Sequence, residues 1–142
     1  MLMNPLCNCL SLRQATRRVT QLYDLALAPL ELRATQYALL RAVEGLGPVA
    51  LNPLAAALVM DRATLGHNVR PLEARDLVRL AVGKDRRSRE VSITRTGRDA
   101  IVQGQKLWRR AQRAFEDEIG EETAATLRSM LHRVAAAEFA LT

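Results

Sequence analysis

The fold of this chain is decided by residues 61–97, which read DRATLGHNVRPLEARDLVRLAVGKDRRSREVSITRTG. The first half predicts a helix from Arg62 to about Arg75, because Asp61 is a favoured N-cap residue and the apolar side chains after it share one helical face. Those apolar side chains are Leu65, Val69 and Leu72. The other side chains of this helix, which are mostly polar, then point outward.

The second half of the same stretch predicts a β-hairpin. Residues 77–82 and 90–94 are rich in Val, Leu and Ile, which is typical of two short strands. The segment Gly83–Arg89 between them is polar and basic and forms the tip. A helix is therefore followed directly by a hairpin with a basic tip.

Upstream of residue 61 the sequence predicts two shorter helices. Thr35 can cap a helix over residues 36–44, which the Gly45–Pro48 turn ends. After a short link, Val49 to Leu51, the pair Asn52-Pro53 is typical of an N-cap and a first helical residue.

The helix that Asn52 opens runs through Leu58 and meets the next helix in a tight junction at Val59–Asp61. Two short helices joined in this way form a helix-turn-helix, and the hairpin that follows makes it winged.

Long helices flank this central part. One runs from Leu12 to Ala28, a second is capped by Thr94 and extends to Gly120, and a last helix carries Leu127, Leu131, Val134 and Leu141. These helices have more apolar surface than a small winged domain can cover, so they are the natural dimer interface. We therefore expect one mainly α domain over 1–142, with a winged helix-turn-helix at about 35–97 and dimerisation helices at 1–30 and 98–142.

The charge is concentrated in the same central part. The chain has a net charge of +6 and a pI near 10.3, and residues 61–98 contain ten Lys and Arg against five Asp and Glu. Such a basic segment favours a polyanionic partner. Double-stranded DNA is the partner that a winged helix-turn-helix fits.

Candidate DNA-binding residues lie on the outer face of the helix over 62–75 and at the tip of the hairpin. An α-helix fits the major groove, where Arg, Asn and Thr side chains can hydrogen-bond to base edges, and a basic tip can follow the phosphates or enter the minor groove. These candidates are Arg62, Thr64, His67, Asn68, Arg70, Lys84, Asp85, Arg86, Arg87 and Arg89.

Two motifs give the chain a family resemblance over nearly its whole length. ATLGHNVRPLEARDLVRL covers the helix and the first strand, and DRRSREVSITRTG covers the hairpin tip, the second strand and the next helix start. In this order and spacing they resemble the MarR family of regulators. The resemblance implies a triangular homodimer that places two recognition helices in successive major grooves of a pseudo-palindromic operator.

The resemblance also implies roles for single residues. Asp85 would brace the wing by pairing with an arginine, while Arg86 or Arg87 reaches the minor groove. Leu72-Glu73 and Thr94–Gly97 match the family's LE and T…G signatures, which serve packing and capping. Gly66 departs from the family pattern, because many members have a polar residue there.

Cys7 and Cys9 are candidates for a redox role. Cys9 precedes Tyr23 by 14 residues, which resembles the organic-hydroperoxide-sensing branch of the family, and Arg13 lies one helical turn away, where its charge favours a thiolate. Two other tyrosine positions of that branch fall on Ala34 and Arg13. The alternative is that both cysteines are small apolar fillers at the dimer interface.

An effector pocket is the other regulatory candidate. MarR-like proteins bind small phenolic or carboxylate ligands between the dimerisation helices and the winged part, and the residues that suit such a ligand here are Arg13, Arg17, Tyr23, Tyr37 and Trp108. Plain core packing is the alternative for Tyr37 and Trp108.

No catalytic triad, phosphate-binding glycine loop or metal-ligand cluster is recognisable in the sequence, so we expect no enzyme activity, cofactor or metal. The absence of a signal peptide or a long apolar run predicts a cytoplasmic protein that does not enter membranes. Two alternatives to a DNA-binding repressor stay open: a winged-helix protein-interaction module, and a thiol enzyme that turns over peroxide through Cys9.

Overall fold

The computed structural model describes residues 6–141, which form six α-helices and a three-stranded antiparallel sheet. The elements in chain order are α1 (Asn8–Leu27), a 3-10 turn (Ala28–Leu30), α2 (Ala34–Leu46), β1 (Val49–Ala50), α3 (Leu51–Ala57), α4 (Arg62–Ala74), β2 (Val78–Val82), β3 (Arg89–Ile93), α5 (Arg95–Ile119) and α6 (Glu121–Ala135). The predicted fold class, a mainly α winged helix-turn-helix, is confirmed.

The sheet has the order β1-β3-β2, with β3 in the middle. Val91 of β3 lies opposite Leu80 of β2 and opposite Val49 of β1. Val49–Leu51 was predicted to be a link, whereas Val49–Ala50 forms the strand β1. A two-residue strand carries no periodic signal, and it forms here because β3 offers a free edge for pairing.

One hydrophobic core joins the helix-turn-helix to the sheet. Most of its side chains come from α2, α3, α4 and the two long strands, and Leu27 of α1 and Ile101 of α5 join them. The inward stripe predicted for α4 is fully part of this core. The most buried members are Leu27, Leu39, Leu40, Val43, Leu54, Leu65, Val69, Leu72, Val78 and Val91. This core fixes the outward face of α4 relative to the hairpin.

The start of α2 differs from the prediction. The helix begins at Ala34 with Arg33 in the N-cap position, so Thr35 lies inside the first turn. The carboxylate of Asp24 accepts a hydrogen bond from the Ala34 amide at 2.7 Å, and the Gln36 side chain accepts one from the Arg33 amide at 2.9 Å. The first of these acceptors comes from α1, and a local capping rule does not include it.

Two further helix ends also differ. Ala50, not Asn52, is the N-cap residue of α3, because the backbone of β1 runs directly into the helix. The last helix, α6, ends at Ala135, so Leu141 lies beyond it.

The predicted cap of α5 is confirmed, and it ties the helix to the hairpin. Thr94 accepts a hydrogen bond from the Gly97 amide at 2.9 Å, and its hydroxyl donates to the Asp76 carbonyl at 2.6 Å. A Cβ on Gly97 would lie 2.1 Å from the Leu77 carbonyl oxygen. Only glycine therefore lets α5 pass so close to the start of β2. None of the helices in residues 6–141 is long and apolar enough to cross a membrane.

Candidate nucleic-acid interface

The N-terminus of α4 is held by Asp61, as predicted. Its carboxylate accepts hydrogen bonds from the Thr64 amide at 2.7 Å and from the Thr64 hydroxyl at 2.9 Å. These bonds stabilise the charged form and lower the pKa of the Asp61 carboxyl. The Thr64 side chain, expected to face DNA, is thus engaged in the helix cap.

The outer face of α4 forms a shallow concavity of about 540 Å³, which we call the recognition surface. It is lined by Arg62, Ala63, Gly66, His67 and Arg70. Three of the five predicted base-reading residues therefore lie together here.

Asn68, another predicted reader, does not line the recognition surface. Its side-chain amide donates to the Thr64 carbonyl at 2.9 Å, one helical turn back. Its free hydrogen-bonding capacity is correspondingly smaller. Among residues 6–141, His67 and Arg70 have no such bond, so their polar atoms face solvent.

Asp85 organises the tip of the hairpin through the backbone. Its carboxylate accepts a hydrogen bond from the Arg87 amide at 3.1 Å, and its carbonyl accepts from the Ser88 amide and hydroxyl, each at 2.9 Å. The expected ion pair with an arginine is not formed within residues 6–141. A short Asx-type turn thus braces this tip, and the arginines around it stay extended into solvent.

A second concavity of about 230 Å³, which we call the wing groove, runs between the hairpin tip and the start of α3. Of the predicted wing residues, Asp85, Arg87 and Arg89 line it, while Lys84 and Arg86 are exposed outside it. Asn52, which was predicted only as a helix cap, lies on its opposite side. Arg62 lines both the wing groove and the recognition surface and so makes them one continuous basic face.

No protein-family model matches the chain, and no curated protein matches it. Several solved structures are similar to it. A probable transcriptional regulator from Pseudomonas aeruginosa is 31% identical with a TM-score of 0.77, over 87% of this chain and 92% of that one. The M. tuberculosis transcriptional regulator MosR, in complex with DNA, is 29% identical with a TM-score of 0.79, over 94% and 99%. A mutant of E. coli MarR, in complex with operator DNA, shares the fold at 20% identity and a TM-score of 0.79, over 87% and 89%. The chain belongs to the MarR family.

In this MarR-family chain, Arg75 ties the recognition helix to the turn after α1. Its guanidinium donates to the Glu31 carbonyl at 2.7 Å and to the Leu30 carbonyl at 3.0 Å. Glu31 has a left-handed backbone, with φ of 54°. No local sequence signal predicts this clamp, because the two acceptors are backbone carbonyls that lie 44 and 45 residues before Arg75.

A cleft of about 730 Å³ lies between α1, α2 and α5. Of the predicted pocket residues, Tyr23, Tyr37 and Trp108 line it together, whereas Arg13 and Arg17 do not. Arg41 and Arg109 supply the positive charge of the cleft in this chain. The difference arises because Arg13 and Arg17 lie nearer the start of α1, before the cleft wall begins at Val19.

The two tyrosines of the cleft are held differently. The Tyr37 hydroxyl donates to the Ile101 carbonyl at 3.2 Å, and its ring fills the space where a Gly104 side chain would be. The Tyr23 hydroxyl donates to the Gln112 side chain on α5. Burial raises the pKa of Tyr23, as does the nearby charge of Glu116, while Arg128 acts in the opposite direction.

Both cysteines are free thiols at the start of α1. Cys7 is the N-cap residue, and its sulfur accepts a hydrogen bond from the Leu10 amide at 3.4 Å, while Cys9 is exposed. Tyr23 cannot bond Cys9 within one chain, because 14 helical residues separate them by roughly 21 Å along α1. The geometry of the hydroperoxide-sensing branch is therefore not reproduced inside a single protomer. In residues 6–141 no three His, Cys, Asp or Glu side chains are grouped as metal ligands.

Proposed function

We propose that this protein is a homodimeric transcriptional repressor that binds a pseudo-palindromic site in double-stranded DNA. The observation that carries the proposal is the continuous basic face on which Arg62 joins the recognition surface to the wing groove. A helix face of this kind suits the major groove, and the adjoining hairpin then lies along the neighbouring phosphates or the minor groove.

Relatives support the same reading. MosR, at 29% identity, was solved in complex with DNA, and its chain aligns with 94% of this one. Because residues 61–98 contain ten basic residues against five acidic ones, the corresponding face of this chain suits the same kind of partner.

The homodimer is supported by the apolar surface of α6. Leu127, Met130, Leu131 and Val134 share one face of the helix and are between 36% and 59% exposed, and Ala124 is the one buried residue of α6. A second copy of the chain would cover this stripe and bring two recognition helices onto one DNA. Half-sites would then be about one helical turn, ~34 Å, apart.

Repression follows from occupancy, because a dimer across a promoter excludes polymerase. A repressor acts where the chromosome is, so the proposal includes a cytoplasmic location and a role that requires no catalysis. Winged helices also serve as protein-docking scaffolds, and salt dependence separates the two functions because phosphate binding releases counterions.

The first test selects duplexes from a random DNA library with the full-length protein and then measures affinity by fluorescence anisotropy across a salt series. We expect one pseudo-palindromic sequence and steep salt dependence. Arg87→Ala should weaken binding about tenfold and reduce the salt slope by about 1. Arg79→Ala is the matched control, since Arg79 is exposed on β2 and lines neither concavity.

The outcomes are distinguishable. Equal weakening by both substitutions would assign the effect to overall charge and contradict the wing contact. Failure to enrich any sequence, or binding without salt dependence, would contradict DNA-binding function and favour the interaction module.

Release from DNA is proposed to follow binding of a small aromatic anion in the cleft between α1, α2 and α5. Its walls offer Tyr23, Tyr37 and Trp108 as aromatic surfaces and Arg41 and Arg109 as cations. The cleft lies where α5 meets α2, and α2 packs against α4, so a ligand there can change the separation of the two recognition helices. Oxidation of the exposed Cys9 is the second route, and Cys9→Ser tests it with organic hydroperoxide in the same anisotropy assay.

Trp108 is the single tryptophan of the chain and therefore reports ligand binding by its fluorescence. We expect 4-hydroxybenzoate to quench it, and Arg109→Ala to weaken that binding about tenfold. Arg110→Ala is the control, because Arg110 is adjacent and exposed but does not line the cleft. Equal affinity of the two variants would argue against a carboxylate bound at Arg109.

A further inference from the structure

Gly66 is in the interior of the recognition helix, the fifth of its thirteen residues. A glycine there lowers the ratio of folded to unfolded protein about three- to fivefold relative to alanine. A Cβ on Gly66 would meet no atom within 4 Å. The fold of the chain itself therefore gives no reason for glycine at this position.

The contrast with two other helical glycines is clear. A Cβ on Gly97 would lie 2.1 Å from the Leu77 carbonyl oxygen, and one on Gly104 would lie 2.5 Å from the Tyr37 ring. Those two glycines are required by internal packing. Gly45 of α2 also has no atom near a Cβ, but it is the next-to-last residue of its helix and lines neither concavity. Gly66 is inside its helix and lines the recognition surface, so its cost is explained by a molecule outside the chain that approaches the helix.

The surroundings of Gly66 indicate what approaches. It lies in the recognition surface among Arg62, His67 and Arg70. Thr64 and Asn68 are bound within the helix, so the groups that remain free to read bases surround the glycine.

We infer that Gly66 is a specificity-determining residue, whose missing side chain lets the backbone of α4 come into contact with base-pair edges in the major groove. The inference rests on the proposed DNA-binding function. A methyl group at residue 66 would hold the helix away from the bases, and Arg62 and Arg70 would then lose their hydrogen bonds to base edges while phosphate contacts by the wing persist.

The test compares the parent, Gly66→Ala and the control Gly45→Ala in the library selection, in operator affinity, in affinity for random duplex and in Tm. Gly45 is in α2, and a Cβ there also meets nothing within 4 Å. Both substitutions should raise Tm by about 2–6 °C, which shows that each fold is intact.

We expect Gly66→Ala alone to lose about tenfold in affinity for the parent's operator and to select altered bases in each half-site, with affinity for random duplex unchanged. Unchanged affinity and base preference in Gly66→Ala, beside a parent that binds its operator, would overturn the inference and leave the proposed function intact. An equal loss on random duplex would overturn it as well. A parent that enriches no sequence would instead refute the proposed function.

Discussion

Single side chains in this protein act through the positions of their polar groups. Arg62 is the clearest case, because one side chain lines both the recognition surface and the wing groove. Arg75 acts through two backbone carbonyls of the turn after α1, to which it donates hydrogen bonds at the surface. Both residues are arginines, and their different roles follow from their positions in the fold.

Tyr23 provides a prediction at this scale. Its pKa in the folded protein is raised above 10.0 by burial and by Glu116, so the unfolded chain loses the phenol proton first. The stabilisation by Tyr23 is therefore fully present below pH 10.0 and is lost as the pH rises through the folded pKa. Tyr23→Phe, which removes the bond to Gln112, should cost about 1 kcal/mol at pH 8 and progressively less above pH 10.0.

Urea unfolding of the parent and of Tyr23→Phe at pH 8 and at increasing pH above 10 measures this difference. A difference in unfolding free energy between the two proteins that does not change with pH would contradict a raised pKa of Tyr23.

Turns between elements carry the backbone strain of this chain. Val59, in the turn between α3 and α4, has φ of 53° and is 71% exposed. A β-branched residue is disfavoured in the left-handed region, because its Cβ crowds the backbone. The turn of the helix-turn-helix therefore stores strain that packing of α3 against α4 overcomes.

Val59→Gly should relieve that strain and raise the free energy of unfolding by about 0.5–1 kcal/mol, after the larger entropy of an unfolded glycine is subtracted. Val59→Ala keeps the Cβ and serves as the control, with little change expected at so exposed a site. Chemical denaturation of the three proteins gives the comparison, and a glycine variant no more stable than the alanine variant would contradict the argument.

At the scale of the whole molecule, a single chain leaves apolar surface of α6 exposed, as expected for the proposed homodimer. The apolar stripe on α6 is only partly covered by its own protomer, because Leu127, Met130, Leu131 and Val134 stay 36–59% exposed although they are spaced as a packing surface. Stability, operator affinity and oligomeric state are therefore expected to change together.

Leu131→Glu places a charge in this stripe and should convert the dimer to a monomer at micromolar concentration. Operator affinity should then fall about a hundredfold, because the two half-sites are no longer bound by one particle. Ser129→Glu adds the same charge on the opposite face of α6 and should stay dimeric. Sedimentation equilibrium measures both, and a Leu131→Glu protein that remains a dimer would place the interface elsewhere.

Much of the fold and of the candidate DNA-binding surface could be predicted from the sequence alone. The Asp61 and Thr94 caps, the inward stripe of α4, the hairpin and its basic tip depend on residues a few positions apart. Such signals are local, because they depend on residues that are close together in the sequence whatever the rest of the fold does. The motifs in residues 61–97 were sufficient to indicate the family.

Other features exist only because distant segments meet. Asp24 of α1 sets the start of α2, the free edge of β3 creates β1, and the Leu77 carbonyl requires glycine at residue 97. The cleft receives its positive charge from Arg41 and Arg109 because three helices converge there. Helical spacing places a side chain on a face of its own helix, whereas the tertiary structure alone decides what that face meets.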